Sequence, residues 1–354
     1  MPRSVFAGSG SYIPPNRVTN EMLSRIMDAS DDWVQERCGV QTRYYAGPDM
    51  ATSDLGLMAA ERALETAGIE RTDLDMIIFA TMTPDHFFPG CGGLLQAKLG
   101  IDDIPCFDLR QQCVGFLYGL QVADAHIRAG MARNILVVGA ETHIGFMPWT
   151  PSNFDYLYGT SDVPPTTEEF AWNSRFRNLT VLFGDAGAAV VITAEENSER
   201  GIIDSILHTN GRNYDKLYVP GAGFKHRPYV DAGQLQRGEH IPVMDGRFVF
   251  RNATTAMSEV SREILMRHGL NVSDLALVLM HQANKRINEY VQKALEIPDE
   301  KVIHNIHKYG NTTAATIPLL WDEAVRCGRI RPGDLVLMVA FGAGLNWGAT
   351  LVRA

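Results

Sequence analysis

Apolar positions along this chain alternate between two spacings. In TSDLGLMAAERALETA, residues 52–67, they recur three and four apart, the period of an amphipathic helix, and Gly68 follows as a stop. MIIFA, from Met76, is an unbroken apolar run, which suits a strand buried on both faces. The same succession begins again at Ala253. ATTAMSEVSREILMRHGLNVSDLALVLMHQANK gives a helix, a Gly turn, a Ser-Asp-Leu step and an apolar strand. At an offset of roughly 200 residues, LQAKLGIDDIPCFDL continues against VQKALEIPDEKVIHNI, and CVGFLYGLQVADAHIRAGMARNILVVGAET against TTAATIPLLWDEAVRCGRIRPGDLVLMVAFG. Each copy reads helix, strand, helix, strand, helix, strand. The pattern predicts two similar α/β halves, 1–180 and 181–354, with mostly parallel strands and helices on their faces.

Two stretches break the period. Residues 145–178 are rich in Pro, Ser, Thr and aromatics and read as an irregular insertion, and residues 208–246 hold many Gly, Tyr, His and Arg. Long loops of this kind are usually covers or interface arms, and their aromatics call for a packing partner.

Composition narrows the field. The 354 residues are 45% hydrophobic and 21% charged, enough for a sizeable core and incompatible with global disorder. A net charge of −9 argues against a general nucleic-acid or membrane binder. No run reaches the length of a membrane span, and the first residues lack a signal pattern, so a cytoplasmic protein is expected. The five cysteines, Cys38, Cys91, Cys106, Cys113 and Cys327, are odd in number and scattered, as reduced thiols are. His304 and His307 have near-metal spacing without a third ligand nearby, so no metal is expected.

Candidate chemistry gathers at strand ends. Cys113 stands between the short strand of PCFDL and a long amphipathic helix, where the helix dipole would favour a thiolate. Taken alone it would be an ordinary buried cysteine. The matching place in the second copy is the loop HKYGNTT, which offers Asn311, and the strand VLM ends at His281. In open α/β sheets ligands sit at the carboxyl ends of strands, so the three groups could converge where the halves meet.

These residues lie in motifs that span nearly the whole chain: GSGSYIPPNRVTN, SDDWVQERCGVQTRYYA, CVGFLYGL, VLFGDAGAAVVI, HQANKRI, YGNTTAATIP and FGAGLNWG. Together they resemble the β-ketoacyl-acyl carrier protein synthase III family of the thiolase superfamily. The resemblance implies a thiolase-like fold, two duplicated βαβαβαββ halves in five αβαβα layers, usually as a homodimer. It implies Cys113 as acyl acceptor, with His281 and Asn311 as its partners, and Gly342, Ala343 and Gly344 as the loop that holds an oxyanion. A thiolase would need a second cysteine in that loop, and an elongating synthase a second histidine where Asn311 stands. Many relatives carry three consecutive glycines there, and Ala343 departs from that pattern.

By the same resemblance Trp33, Arg37 and Arg177 hold coenzyme A, Arg286 and Lys293 form the rim that meets acyl carrier protein, and Phe88 crosses a dimer interface to close the partner's acyl pocket. No redox or metal cofactor is implied, since acyl-CoA and a malonyl thioester are substrates. The expected activity is acylation of Cys113 followed by decarboxylative Claisen condensation with malonyl-acyl carrier protein, giving a 3-oxoacyl thioester. Acyl transfer to a hydroxyl of a natural product and a non-catalytic partner subunit are the competing readings. The 145–178 segment runs roughly twenty residues longer than the family usually carries, a loop-scale insertion. It is expected to act as a lid or interface arm that shifts acyl preference.

Overall fold

Strand side chains of the computed structural model, which describes residues 1–354, alternate between two cores. In the first sheet Ile78, Val137, Val190 and Ile192 face a core of 28 buried residues shared by both halves, while Ile77, Phe79, Leu136, Val138 and Val191 face an outer core. That sheet has the order Arg3–Tyr12, Ala186–Glu195, Asn134–Glu141, Met76–Ala80, Cys106–Leu109. The last three run parallel and the first two antiparallel to their neighbours. The second sheet, Leu277–Met280, Leu335–Gly342, Asn346–Arg353, Gly201–Thr209, divides its side chains the same way.

Helices fill the three remaining layers. Thr52–Ala67 and Cys91–Leu99 cover the outer face of the first sheet, and each ends at a left-handed glycine, Gly68 and Gly100. Gly246–Arg267 and Lys285–Ala294 cover the second sheet. Gly115–Arg128 and Thr316–Arg326 lie between the sheets, where Phe116, Leu117, Leu120, Ile317, Leu320 and Trp321 join one core. The result is the five-layer, duplicated thiolase-like arrangement.

Two boundaries move. Ala186–Glu195 pairs within the first sheet, so the first half extends past 180 and the division falls near 196–200. Residues 145–178 are not irregular: they form the turn His143–Phe146 and the helices Pro151–Tyr158 and Thr167–Arg175, with Arg177–Thr180 following. Their signals are caps rather than period. Thr150 accepts from Asn153 N with Pro at the helix start, and Thr166 and Glu169 form a reciprocal capping box. Trp149 and Leu157 are buried with Leu23, Ile26, Met27 and Tyr45 of the same chain. Of the segment's aromatics, Trp149 is buried in this way, while Phe154, Tyr156 and Tyr158 are partly buried against the same core.

Candidate active site

Cys113 sits in the tight turn Gln112–Val114, just ahead of the helix that begins at Gly115. Gln112 adopts φ +47, and its counterpart Thr313 adopts φ +49 in the matching turn Thr313–Ala315. By this correspondence the symmetry mate of Cys113 is Ala314, three residues beyond the Asn311 matched from the sequence. A glycine of each adjoining strand lies against these positions. A Cβ at Gly342 would lie 2.8 Å from the Cys113 Cβ, and a Cβ at Gly139 would run into the Ala314 carbonyl. Only glycine admits either approach.

His281 follows directly on the strand Leu277–Met280, and its N–H donates to Val339 O at 2.9 Å. Both ring nitrogens are buried without a protein partner. Asn311 is held by its backbone, which donates to Leu182 O at 2.7 Å. Its Oδ1 accepts from Thr313 N at 2.9 Å, leaving Nδ2 to donate elsewhere. Cys113, His281, Asn311, Gly342, Ala343 and Gly344 all line one cavity of about 1050 Å³.

Charge at this site departs from the helix-dipole expectation. Burial pushes the Cys113 thiol up to about 12, and the nearby Glu141 carboxylate adds to the rise. The Thr313 hydroxyl and the N–H groups of Cys113 and Ala343 pull the other way without prevailing. The resting sulfur is thus a thiol, and its turn stands two residues ahead of the helix proper. Burial, reinforced by the neighbouring His143, draws His281 down to about 3, so its imidazole is neutral. Glu141 is enclosed, accepts hydrogen bonds from Thr81, Met82 N and Thr83, and is raised to about 7 by burial.

Around the cavity the expected residues separate into two groups. Arg37 and Arg286 line its wall. Trp33 and Arg177 stand behind Arg37: the Arg37 and Arg177 guanidinium carbons lie 5.4 and 4.7 Å from the Trp33 ring, and Arg177 also pairs with Asp28. Lys293, near the end of the helix Lys285–Ala294, is off the wall. Phe88 is 78% exposed, which excludes a core role. Phe146, from the 145–178 segment, lines the cavity, and so do Arg110, Tyr214, Arg247, Phe250 and Met257, which were missed. Of these, only DGRFVFRN carried a readable signal, basic and aromatic residues interleaved at a helix start.

Comparison with known proteins agrees with this geometry. A model of the 3-oxoacyl-[acyl-carrier-protein] synthase III family matches residues 107–161 and 167–211, and its C-terminal model matches 265–354. The β-ketoacyl-[acyl-carrier-protein] synthase III of Rhizorhabdus wittichii is 41% identical over 353 residues, covering all of both chains. That of Caldanaerobacter subterraneus is 40% identical and covers 98% of this chain and 96% of its own. Among solved structures, the 3-oxoacyl-[acyl-carrier-protein] synthase III of Aquifex aeolicus superposes with TM-score 0.83 at 35% identity, covering 99% of this chain and all of that one. The Thermus thermophilus enzyme gives 0.85 at 33% identity, covering 99% of each chain. The chain belongs to the 3-oxoacyl-[acyl-carrier-protein] synthase III family.

Proposed function

We propose that this acyltransferase carries its acyl group on Cys113 and condenses it with a malonyl thioester of acyl carrier protein. The observation that carries the reading is a buried thiol sharing one cavity with two uncharged hydrogen-bond donors. In the first half-reaction the Cys113 sulfur bonds to the acyl carbon as the bond to the coenzyme A sulfur breaks, and the thiol proton ends on the departing coenzyme A thiol. The oxyanion formed on the way would meet the N–H groups of Cys113 and Ala343, both within reach of the sulfur.

In the second half-reaction carbon dioxide leaves the malonyl group and its electrons enter an enolate. A neutral imidazole and an amide can both donate to that oxygen, which is the role assigned to His281 and Asn311. The carbanion attacks the Cys113 thioester and releases a 3-oxoacyl product. Transfer to a hydroxyl would instead need a base to take the hydroxyl proton. An imidazole held near 3 is a poor base and a good donor, which favours condensation.

Arg37, backed by Trp33 and Arg177, supports coenzyme A at one side of the cavity, where guanidinium matches phosphate and indole stacks on purine. Arg286, with Lys293 farther along its helix, offers a cationic rim for acyl carrier protein. Phe87 and Phe88 are exposed, and Phe87 meets exposed Phe224 edge to face with ring centroids 4.9 Å apart. This aromatic patch supports a homodimer. No helix is long and apolar enough to cross a membrane, which suits work on soluble thioesters in the cytoplasm. No cofactor enters this chemistry.

The test is incubation with acyl-CoA and malonyl-acyl carrier protein, weighing the protein and its products. An acyl adduct on Cys113 together with a 3-oxo product is expected. An adduct without that product would favour transfer to another acceptor.

A further inference from the structure

The cavity is lined with positive charge that the reaction steps leave unassigned. Arg37, Arg110, Arg247 and Arg286 stand on its wall against one acidic residue, Asp245. That excess runs against the net charge of the chain, which is −9. Arg110 belongs to the thiol's side: it comes three residues before Cys113, and its guanidinium carbon lies 5.5 Å from the Phe87 ring. The other three are exposed. Contacts between their elements set them in an arc. The Asn284 side chain donates to the Arg37 carbonyl at 3.1 Å, and Arg286, two residues on, lies over the Phe250 ring at 6.0 Å. Phe250 stands about one turn beyond Arg247 on the helix Gly246–Arg267.

None of the three arginines joins an ion pair. Asp245 caps the helix that carries Arg247, its Oδ1 accepting from Phe248 N at 3.0 Å. Arg177, which the resemblance set on coenzyme A, is differently placed. It is paired with Asp28, lies over Trp33 and is off the wall. A guanidinium without a carboxylate partner is free to meet a phosphate with two parallel N–H donors. Arg37 and Arg286 already have roles in the proposed function, toward coenzyme A and toward acyl carrier protein. Arg247 has none.

Both thioesters reach Cys113 on the same kind of pantetheine arm, and each arm ends outward in a phosphate. That phosphate joins the arm to the nucleotide in coenzyme A and to the protein in the carrier. We propose that Arg247 binds the phosphate at the outer end of the arm, beside Arg286, and so serves both half-reactions. The inference rests on acyl-CoA and malonyl-acyl carrier protein being the substrates. The two arms enter one cavity in succession, so a single cation at its mouth meets the phosphate of each in turn.

Arg247→Gln tests this when each half-reaction is run with and without the phosphate. Acylation of Cys113 is followed by intact mass with acyl-CoA and with acyl-pantetheine. Condensation by pre-acylated enzyme is followed with malonyl-acyl carrier protein and with malonyl-pantetheine. KM for both phosphate-bearing substrates should rise on the order of 10-fold, the scale of a lost charge-assisted pair, with kcat holding. The pantetheine thioesters should not tell the variant from wild type. Arg247 is exposed and unpaired, so the variant should melt with wild type, and Arg247→Lys, which keeps the charge, should lose less. A rise for acyl-CoA alone would put Arg247 on the nucleotide, and a rise for the carrier protein alone on that protein's surface; either overturns the proposal. So would equal losses with the pantetheine thioesters, or wild-type KM values throughout. Wild-type enzyme that takes no acyl group from either donor would overturn the functional reading instead.

Discussion

Cys113 and Ala314 occupy equivalent places in the two halves, each in a tight turn pressed against a glycine of the adjoining strand. One half puts a thiol there, the proposed nucleophile. The other puts a methyl group there and moves its polar residues outward, to Asn311 just before the turn and His281 at a neighbouring strand end. The sheets differ in step: Cys106–Leu109 is a paired strand, whereas its counterpart shrinks to the single bridge between Val278 and Val302. A duplicated scaffold thus offers two like positions, and the chemistry arises because they were filled differently. The shared close packing serves stability in both halves, while the thiol and the two donors share one cavity and carry the proposed reaction.

Substitutions can break this comparison, and removing the nucleophile should have the largest effect. Cys113→Ala should show no acyl adduct by intact mass after incubation with acyl-CoA, since no other cysteine lines the cavity. An adduct on the variant would place the nucleophile elsewhere. Next, His281→Ala and Asn311→Ala should still be acylated on Cys113 yet lose condensation by on the order of 10³-fold, the scale of a lost donor to a developing oxyanion. Quenched single-turnover assays of each half-reaction would read this, and equal loss of both would defeat the division of labour.

The paired glycines give a finer contrast. Gly342→Ala puts a methyl against Cys113 and should cut acylation far more than stability. Gly139→Ala drives a methyl into the Ala314 carbonyl and should chiefly lower the melting temperature, through overpacking worth about 1–3 kcal/mol. Acylation rates and thermal melts of the two variants would show whether the positions differ as described.

The smallest effect concerns pH. His281, held at about 3, refuses a proton that the unfolded chain accepts below its ordinary 6.5. Its contribution to stability is full above 6.5 and is lost as pH falls toward 3. Glu141 and Asp185, raised by burial to about 7, act oppositely: they favour the fold at low pH and lose that contribution as pH rises to 7. In wild type the two trends offset one another. His143, also drawn down to about 3 by burial, shares the His281 trend, so His281→Gln removes one of two like contributions and should gain about 2 kcal/mol relative to wild type between pH 7 and pH 5. Urea midpoints at the two pH values would measure it.

Much of this was legible because repeat and period are local properties. The helices flanking Gly68 and Gly269 and the strands MIIFA and LVLM followed from spacing alone. The edge of the first half did not, because AGAAVVITAE could pair with either sheet and only tertiary contacts assign it. The helices of 145–178 escaped because they are short and declared by caps rather than by a stripe. At the site, residue types and strand ends located Cys113, His281 and Asn311. The sign of the Cys113 shift was missed, since burial beside Glu141 depends on how distant segments close around it. The surroundings of His143 were invisible for the same reason: its partners, Gly184 and Thr313, lie 41 and 170 residues away.

The helix carrying Cys113 at its head is covered on its far side by residues from the last forty of the chain. Ile317, Leu320, Trp321, Val336, Met338 and Val352 belong to the same core as Phe116, Leu117 and Leu120. On the ribosome this has a cost in timing. The first sheet can be synthesised whole while one of its faces still waits for a partner that has not left the exit tunnel. Until the chain is released, that apolar face and the thiol beside it stand open to solvent and to other nascent chains. A premature stop even a few dozen codons from the end would leave an aggregation-prone fragment rather than a weakened enzyme.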